Sequence, residues 1–365
     1  MTHELKIFNI KSDEDKIIAK GLYMDRKFEK TDPLLELYRG KLYNNILRKF
    51  IGISCNKLGN EIFSQKKSYP RTLTNILSSF MFTNYSYYNF DNDSFFPTTA
   101  YGEDIIKNTF NDLAKKKNKN ISKSLDELFD NLDFKYFIDE ANSKLKKYKK
   151  NKYYLNCKDD YTIGKEIIQQ ERNNQNLSFY KFYIKNNINL LDKRLINILD
   201  NILLPKYQYE NLVKKYTGEK DKLDFYVWCI LYRYQLLGSN NNQLAVLPRI
   251  MDNLKKDFGL CFECFASVIN SHFKNHNSLY YDIEKYFGSY GSFFNMIPIE
   301  GTFGFNPPYQ LDIIDNGVNR LVSFLSKAKA TKNKLTFIIT IPIWDKIGKE
   351  QLGVKTIQYS EFNAM

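Results

Sequence analysis

Histidine is scarce in this chain: three occur in 365 residues. Two of them, His272 and His276, lie four residues apart, but nothing nearby completes a metal site. Cysteine is sparse as well. Cys55, Cys157, Cys229, Cys261 and Cys264 are odd in number and scattered, which argues against a disulfide framework and for a reducing compartment. Cys261 and Cys264 have CxxC spacing without a second pair, and the neighbouring Phe262 and Phe265 read as a buried strand rather than a zinc knuckle. No apolar run reaches the roughly 18 residues a transmembrane helix needs. The first residues, Met1 to Lys6, lack the apolar core of a secretory signal. Neither a Ser-His-Asp arrangement nor a Walker-type loop is present. A soluble, intracellular protein is therefore expected, and no metal site is predicted.

What is abundant is positive charge and aromatic surface. Net charge is +13, and 16% of residues are aromatic, mostly Tyr and Phe. A basic surplus gathers polyanions, which fits RNA, DNA or an anionic surface. Lysine enrichment from an AT-rich genome produces the same number. Hydrophobic content of 43% with 26% charged residues is globular, and the length fits one large domain or two ordinary ones.

Residues 1–30 are polar and carry no strong pattern. Asp32-Pro33 reads as an N-cap followed by proline in the first turn, with a helix running to about Phe50. Further helices are predicted over 103–117, from Ser124 to Lys150 with a break, and over 176–204, where Ile184, Ile188, Leu191, Leu195 and Ile198 share a face. The stretch 82–101 is crowded with Tyr, Phe and Asn and reads either as a base-stacking loop or as packing. Lys144, Lys146, Lys147, Lys149 and Lys150, interleaved with Tyr148 and followed by Tyr153 and Tyr154, fit an RNA-following patch or a solvated helix end. Residues 1–220 thus read as mainly helical, with a domain edge near 218–223. Beyond it, helices are predicted over 224–237 and from Pro248 to Gly259. From Leu260 the pattern alternates. A strand over 260–266 enters a turn and a helix over 270–273, a second strand is expected over 280–283, and a later strand covers 335–341. Such alternation implies a mostly parallel sheet and an α/β fold.

Asn306-Pro307-Pro308-Tyr309 follows the apolar run Gly301-Thr302-Phe303-Gly304-Phe305 and precedes a helical pattern of Leu311, Ile314, Val318, Leu321 and Leu325. The tetrad therefore sits on a turn between a strand and a helix, where α/β sheets bind ligands. Its chemistry suits methylation of an exocyclic base amine. The Asn306 side-chain oxygen and the Pro307 carbonyl can accept the two N–H bonds of adenine N6, localising the lone pair and aiming it at a methyl donor. The prolines stiffen the turn, and Tyr309 offers a face for base stacking. An ordinary Asn-Pro turn is the other reading. A methyl donor also needs a first-strand turn, supplied by Glu263-Cys264-Phe265-Ala266-Ser267. An acid for its ribose is supplied by Asp282 with Glu284 in reserve, and a glycine loop by Gly288 and Gly291.

Taken together, Glu263 to Ser267, Asn270, Phe287 to Gly291, Gly301 to Phe303 and the tetrad resemble the mRNA cap adenosine-N6 methyltransferases, relatives of the phosphorylated-CTD-interacting factor that carries a WW domain. Arg233-Tyr234-Gln235, Leu247-Pro248 and Phe258-Gly259 upstream, and Phe337-Ile338-Ile339, Ile341-Pro342 and Trp344 downstream, extend the likeness over about 225–345. The resemblance implies a helical, basic domain at 1–220 joined to a Rossmann-like methyltransferase domain at 221–365. It implies S-adenosylmethionine as cofactor, a capped mRNA 5′ end as substrate, transcription or capping machinery as partners, and a nuclear location, or a cytoplasmic one for a cytoplasmic virus or protist. By position, Asn306, Pro307, Pro308 and Tyr309 become catalytic. Phe265, Ser267, Asn270, Asp282, Gly288, Ser289 and Gly291 would surround the cofactor; residues 1–220, with the lysine patch, match the family only in being helical and basic. The chain departs from the family at Val268, Tyr309 and Ile343, where Pro, Phe and Glu are usual, and no WW module is evident. The family continues with further strands, so a short sheet edge is expected. A noncatalytic RNA-binding relative, or an enzyme acting on DNA or uncapped RNA, are the alternatives.

Overall fold

The computed structural model describes residues 6–11, 16–21, 30–59, 69–87, 95–97, 103–116, 121–130, 133–172, 175–185, 198–199, 202–238, 245–308 and 311–341. Tyr309, Pro342, Ile343, Trp344 and much of 82–101 lie outside them. No described helix is long and apolar enough to cross a membrane.

Helix α1, Pro33–Leu58, starts as its sequence dictates: the Asp32 carboxylate accepts the Leu35 N–H at 2.9 Å, with Pro33 in the first turn. Helices α2 (Tyr69–Tyr87), α3 (Glu103–Lys116), α4 (Ser122–Phe129), α5 (Phe134–Lys149) and α6 (Lys152–Cys157) follow. Their apolar faces meet around Phe50, Phe80, Phe110 and Phe134. The same core takes in helix α8, Leu223–Leu236, and reaches Val268, Tyr280, Ile283 and Phe287, so it joins residues on both sides of position 220.

Two parts of this half differ from the sequence reading. The helix expected over 176–204 begins instead as strand β4, Gln175–Lys185, paired antiparallel with β3, Thr162–Arg172, and with β5, Leu203–Pro205. Period-two burial wins here. Phe182 is buried, with Tyr180 and Ile184 packed against the core, while Tyr183 and Lys185 face out. The patternless N-terminus forms a hairpin of β1, Lys6–Lys11, and β2, Lys16–Gly21.

Helix α7, Lys206–Lys215, leads through α8 to α9, Pro248–Phe258, which closes on the left-handed Gly259 at φ 70°. The sheet is then laid down as β6 (Phe262–Glu263), β7 (Asn275–His276), β8 (Met296–Phe305) and β9 (Leu335–Ile339). All four are parallel, in the order β9-β8-β6-β7. Helix α11, Leu311–Thr331, joins β8 to β9 and is the crossover such a pair requires. The early half of β8 pairs antiparallel with β2, from Ile18 opposite Glu300 to Gly21 opposite Met296. The N-terminal hairpin thus extends the C-terminal sheet.

The strand expected over 280–283 is instead a helical turn, α10, Tyr281–Glu284. The second parallel strand lies earlier, at Asn275–His276, where a helix was expected nearby at 270–273 and bends occur instead. Side-chain anchoring explains α10: the Glu284 carboxylate accepts the Tyr280 N–H at 3.0 Å and closes the turn on itself.

Candidate active site at the carboxyl ends of the parallel strands

Strand β8 delivers the tetrad. Its exit is fixed by the Thr340 N–H on the Phe305 carbonyl at 2.9 Å, and by the Cys264 N–H on Gly304 at 2.8 Å. Phe305 is fully buried, edge-on to Phe265 at 5.3 Å and to Phe293 at 5.6 Å. On α11, a Cβ at Gly317 would lie 2.6 Å from the Phe305 ring, so glycine lets that helix close on the strand exit. Asn306 comes next. Its Oδ1 is buried and has no hydrogen-bond partner among the described residues. Pro307 is buried and Pro308 half-buried.

Strands β6 and β7 end beside it. Phe265 follows β6 and packs against Phe293, Phe294 and Phe305. Ser267 and Asn270 form one turn, in which the Ser267 N–H (2.7 Å) and hydroxyl (3.1 Å) both donate to Asn270 Oδ1. Gly288, Ser289 and Gly291 run alongside β7. Ser289 bridges to His276, its hydroxyl lies 2.6 Å from that of Ser278, and the Gly291 N–H donates to it at 3.1 Å. Gly288 has φ 96°, and a Cβ there would strike the Lys274 carbonyl.

Asp282 sits elsewhere. On α10, both of its oxygens accept from Arg233, at 2.9 Å each. Arg233 also donates to Glu36 at 2.6 and 3.0 Å, and Arg39 binds the same Glu36 carboxylate. Burial alone would raise the Glu36 carboxyl, but Arg233 and Arg39 reverse that and bring it to about 2. Glu284, the reserve acid, is fully buried and accepts the Val268 and Tyr280 N–H groups, both at 3.0 Å, shaping the loop after β6. Burial pushes its carboxyl up to about 7 against those hydrogen bonds. Glu263 is likewise raised by burial to about 7, and Lys215 nearby is lowered by burial to about 8.

Glu284 predicts a pH effect. Its folded value of about 7 exceeds the ordinary 4.5, so its contribution to stability is present below pH 4.5 and lost as pH rises through 7. The full span corresponds to roughly 3 kcal/mol. Glu284→Gln should therefore gain on the wild-type chain in melting temperature between pH 5 and pH 8. A gap that stays constant over that range would refute the titration.

The basic residues of α5 form a separate face. Lys144 pairs with Glu140 at 2.8 Å, and Lys146, Lys147 and Lys150 are exposed. Tyr148 stacks on Tyr38 at 3.8 Å, so its ring is used in packing, while Tyr153 is 46% exposed. Cys261 and Cys264 are buried free thiols, and no group of metal-ligating side chains occurs among the described residues.

Two neighbouring residues at the end of β7 take on roles that the sequence reading did not give them. Asn277 follows β7, is 1% exposed, and leaves both Oδ1 and Nδ2 without a partner among the described residues. His276 is buried, and burial, then Lys215, lowers it to about 3, so its ring is neutral. The sequence signal for Asn277 was an asparagine after a short strand, visible only once that strand is placed.

Residues 206–365 match the family model described as "Phosphorylated CTD interacting factor 1 WW domain". The matched segment is less than half of the chain. It contains every strand of the parallel sheet and the whole tetrad. The chain is also 35% identical over 124 residues to the mRNA (2'-O-methyladenosine-N(6)-)-methyltransferases of Mus musculus and Homo sapiens. That match covers 32% of this chain and 17% of each relative's length.

Proposed function

We propose that this chain is an S-adenosylmethionine-dependent RNA methyltransferase acting on N6 of adenosine, most specifically the adenosine next to a capped mRNA 5′ end. The observation that carries the proposal is Asn306: a buried side-chain oxygen without a partner among the described residues, on a proline-stiffened turn at the carboxyl end of a parallel strand. The order β9-β8-β6-β7, with Ser289 bridged beyond β7, supports a Rossmann-like reading of residues 221–365. Residues 1–220 would then present the basic, RNA-facing part.

In this reading the Asn306 Oδ1 and the Pro307 carbonyl accept the two N–H bonds of the adenine amine. That draws the nitrogen pair out of the ring and fixes its direction. Tyr309 stacks on the base. When bound, S-adenosylmethionine would supply an electrophilic methyl for the amine pair, its sulfur keeping the C–S electrons and the surplus N–H proton leaving to water. Phe265, Ser267, Asn270, Gly288, Ser289 and Gly291 would line the cofactor side. The unpartnered polar atoms of Asn306 and Asn277 fit a ligand that brings donors and an acceptor. The mRNA (2'-O-methyladenosine-N(6)-)-methyltransferases to which part of the chain is similar support N6 of an mRNA adenosine as the acceptor.

The test is transfer of a labelled methyl group to capped RNA beginning with adenosine, against uncapped RNA and DNA of the same sequence. Label on N6 of the capped RNA alone is the expected result. Label on uncapped RNA or DNA alone reassigns the substrate, and cofactor binding without label on any of the three marks a noncatalytic relative. The α5 patch predicts a second result. Replacing Lys146, Lys147 and Lys150 by glutamine should weaken RNA binding and reduce the log–log salt slope by about 0.7 per lost phosphate contact. An unchanged slope leaves those lysines as plain surface.

A further inference from the structure

Both acids available to grip a cofactor ribose are already committed. Asp282 has each oxygen bound by Arg233. Glu284 accepts two backbone N–H groups and the Tyr234 hydroxyl. What stands free at the carboxyl end of β7 is a neutral group, the Asn277 carboxamide. Its backbone is pinned on both sides, with its N–H on the Glu263 carbonyl at 2.8 Å and its carbonyl accepting from Ala266 at 3.0 Å. The side chain is therefore held in place, yet its donor and its acceptor are both buried and unpartnered among the described residues. Leaving such groups unpaired costs about 1–3 kcal/mol each. A ligand offering one acceptor and one donor removes that cost.

The sheet order places this carboxamide relative to Asn306. Strand β6 lies between β7 and β8. The ends of β7 and β8 are thus two strand spacings apart, about 10 Å. That span suits a nucleoside at one end and a sulfonium methyl at the other. We infer that Asn277 recognises the ribose diol of the cofactor, Oδ1 accepting from one hydroxyl and Nδ2 donating to the other. This chain would then bind the diol through a neutral carboxamide instead of an acid. The inference rests on the methyltransferase reading above and deepens it.

Calorimetry of the full chain with S-adenosylhomocysteine and with its 2′,3′-dideoxy analogue tests it. The wild-type chain should prefer the diol by about tenfold or more. Asn277→Ala should bind the parent about tenfold more weakly and no longer distinguish the two ligands. Asn277→Asp, with two acceptors for two hydroxyls, should keep the preference. The ligand-free melting temperature of Asn277→Ala should stay close to that of the wild-type chain, because no described side-chain hydrogen bond is lost and two unpaired buried polar atoms are removed. A drop of several degrees would instead make Asn277 structural and overturn the inference. So would an Asn277→Ala chain that still discriminates as the wild-type does. A wild-type chain that gives no heat with S-adenosylhomocysteine sinks both this inference and the cofactor reading. Loss of discrimination together with absent methyl transfer sinks only the catalytic assignment of the tetrad.

Discussion

Replacing Arg233 by methionine should unfold most of the chain at ambient temperature, or lower its stability by about 3–5 kcal/mol where it still folds. The guanidinium is fully buried and held by the carboxylates of Glu36 on α1 and Asp282 on α10. It also lies 5.1 Å from the centre of the Tyr280 ring. Removing it strands two buried carboxylates, one fully and one almost fully out of water. Arg39 remains on Glu36 but no cation remains on Asp282 among the interactions described. Net stabilities of single domains are only about 5–15 kcal/mol, so a loss of this size is decisive. Arg233→Lys should rescue poorly, because one ammonium cannot fork to two carboxylates. Neutralising both acids together with Arg233→Met should recover part of the loss. Denaturant melts of these variants check the claim, and an Arg233→Met chain that melts within a degree or two of the wild-type would refute it.

Asn306→Ala should slow methyl transfer by roughly 10²–10³ while leaving S-adenosylhomocysteine affinity within about twofold. The argument is electrostatic preorganisation. The amide oxygen is fixed by a turn whose base is the Phe305 cluster and whose next two residues are prolines, so it need not reorganise when the amine nitrogen loses electron density. Because Oδ1 has no described partner in the ligand-free chain, the substitution should leave the melting temperature nearly unchanged. This separates a catalytic effect from a folding effect. Single-turnover rates with capped RNA, measured beside calorimetry, read both quantities. A variant with wild-type rate removes Asn306 from the chemistry.

The features that could be read along the chain were those carried by neighbours in sequence. Asp32-Pro33 starts α1 because a carboxylate three residues from an N–H caps it, whatever the rest of the fold does. Gly259 ends α9 for an equally local reason, its left-handed backbone. The strand, turn and helix around Asn306 have matched periodicities on either side of two prolines. Strand β4 looks like the start of a helix in sequence because Ile184, Ile188 and Leu191 also fit a helical spacing. The ladder to β3 and burial of Phe182 against distant helices outweigh that pattern. The two-residue strands β6 and β7 are too short to carry a periodicity of their own.

Local sequence determined the proline turn after β8, the helix that follows it and the helix caps, since each depends on residues within a few positions of one another. Long-range contact decided the rest. Asp282 was drawn to Arg233, 49 residues away, because a buried guanidinium needs carboxylates. The first strands of the chain joined β8 because an exposed ladder needs a partner, and nothing in a polar N-terminus announces which edge it will meet. Asn277 acquired its significance only when three strand ends came side by side and left its carboxamide buried and unpaired.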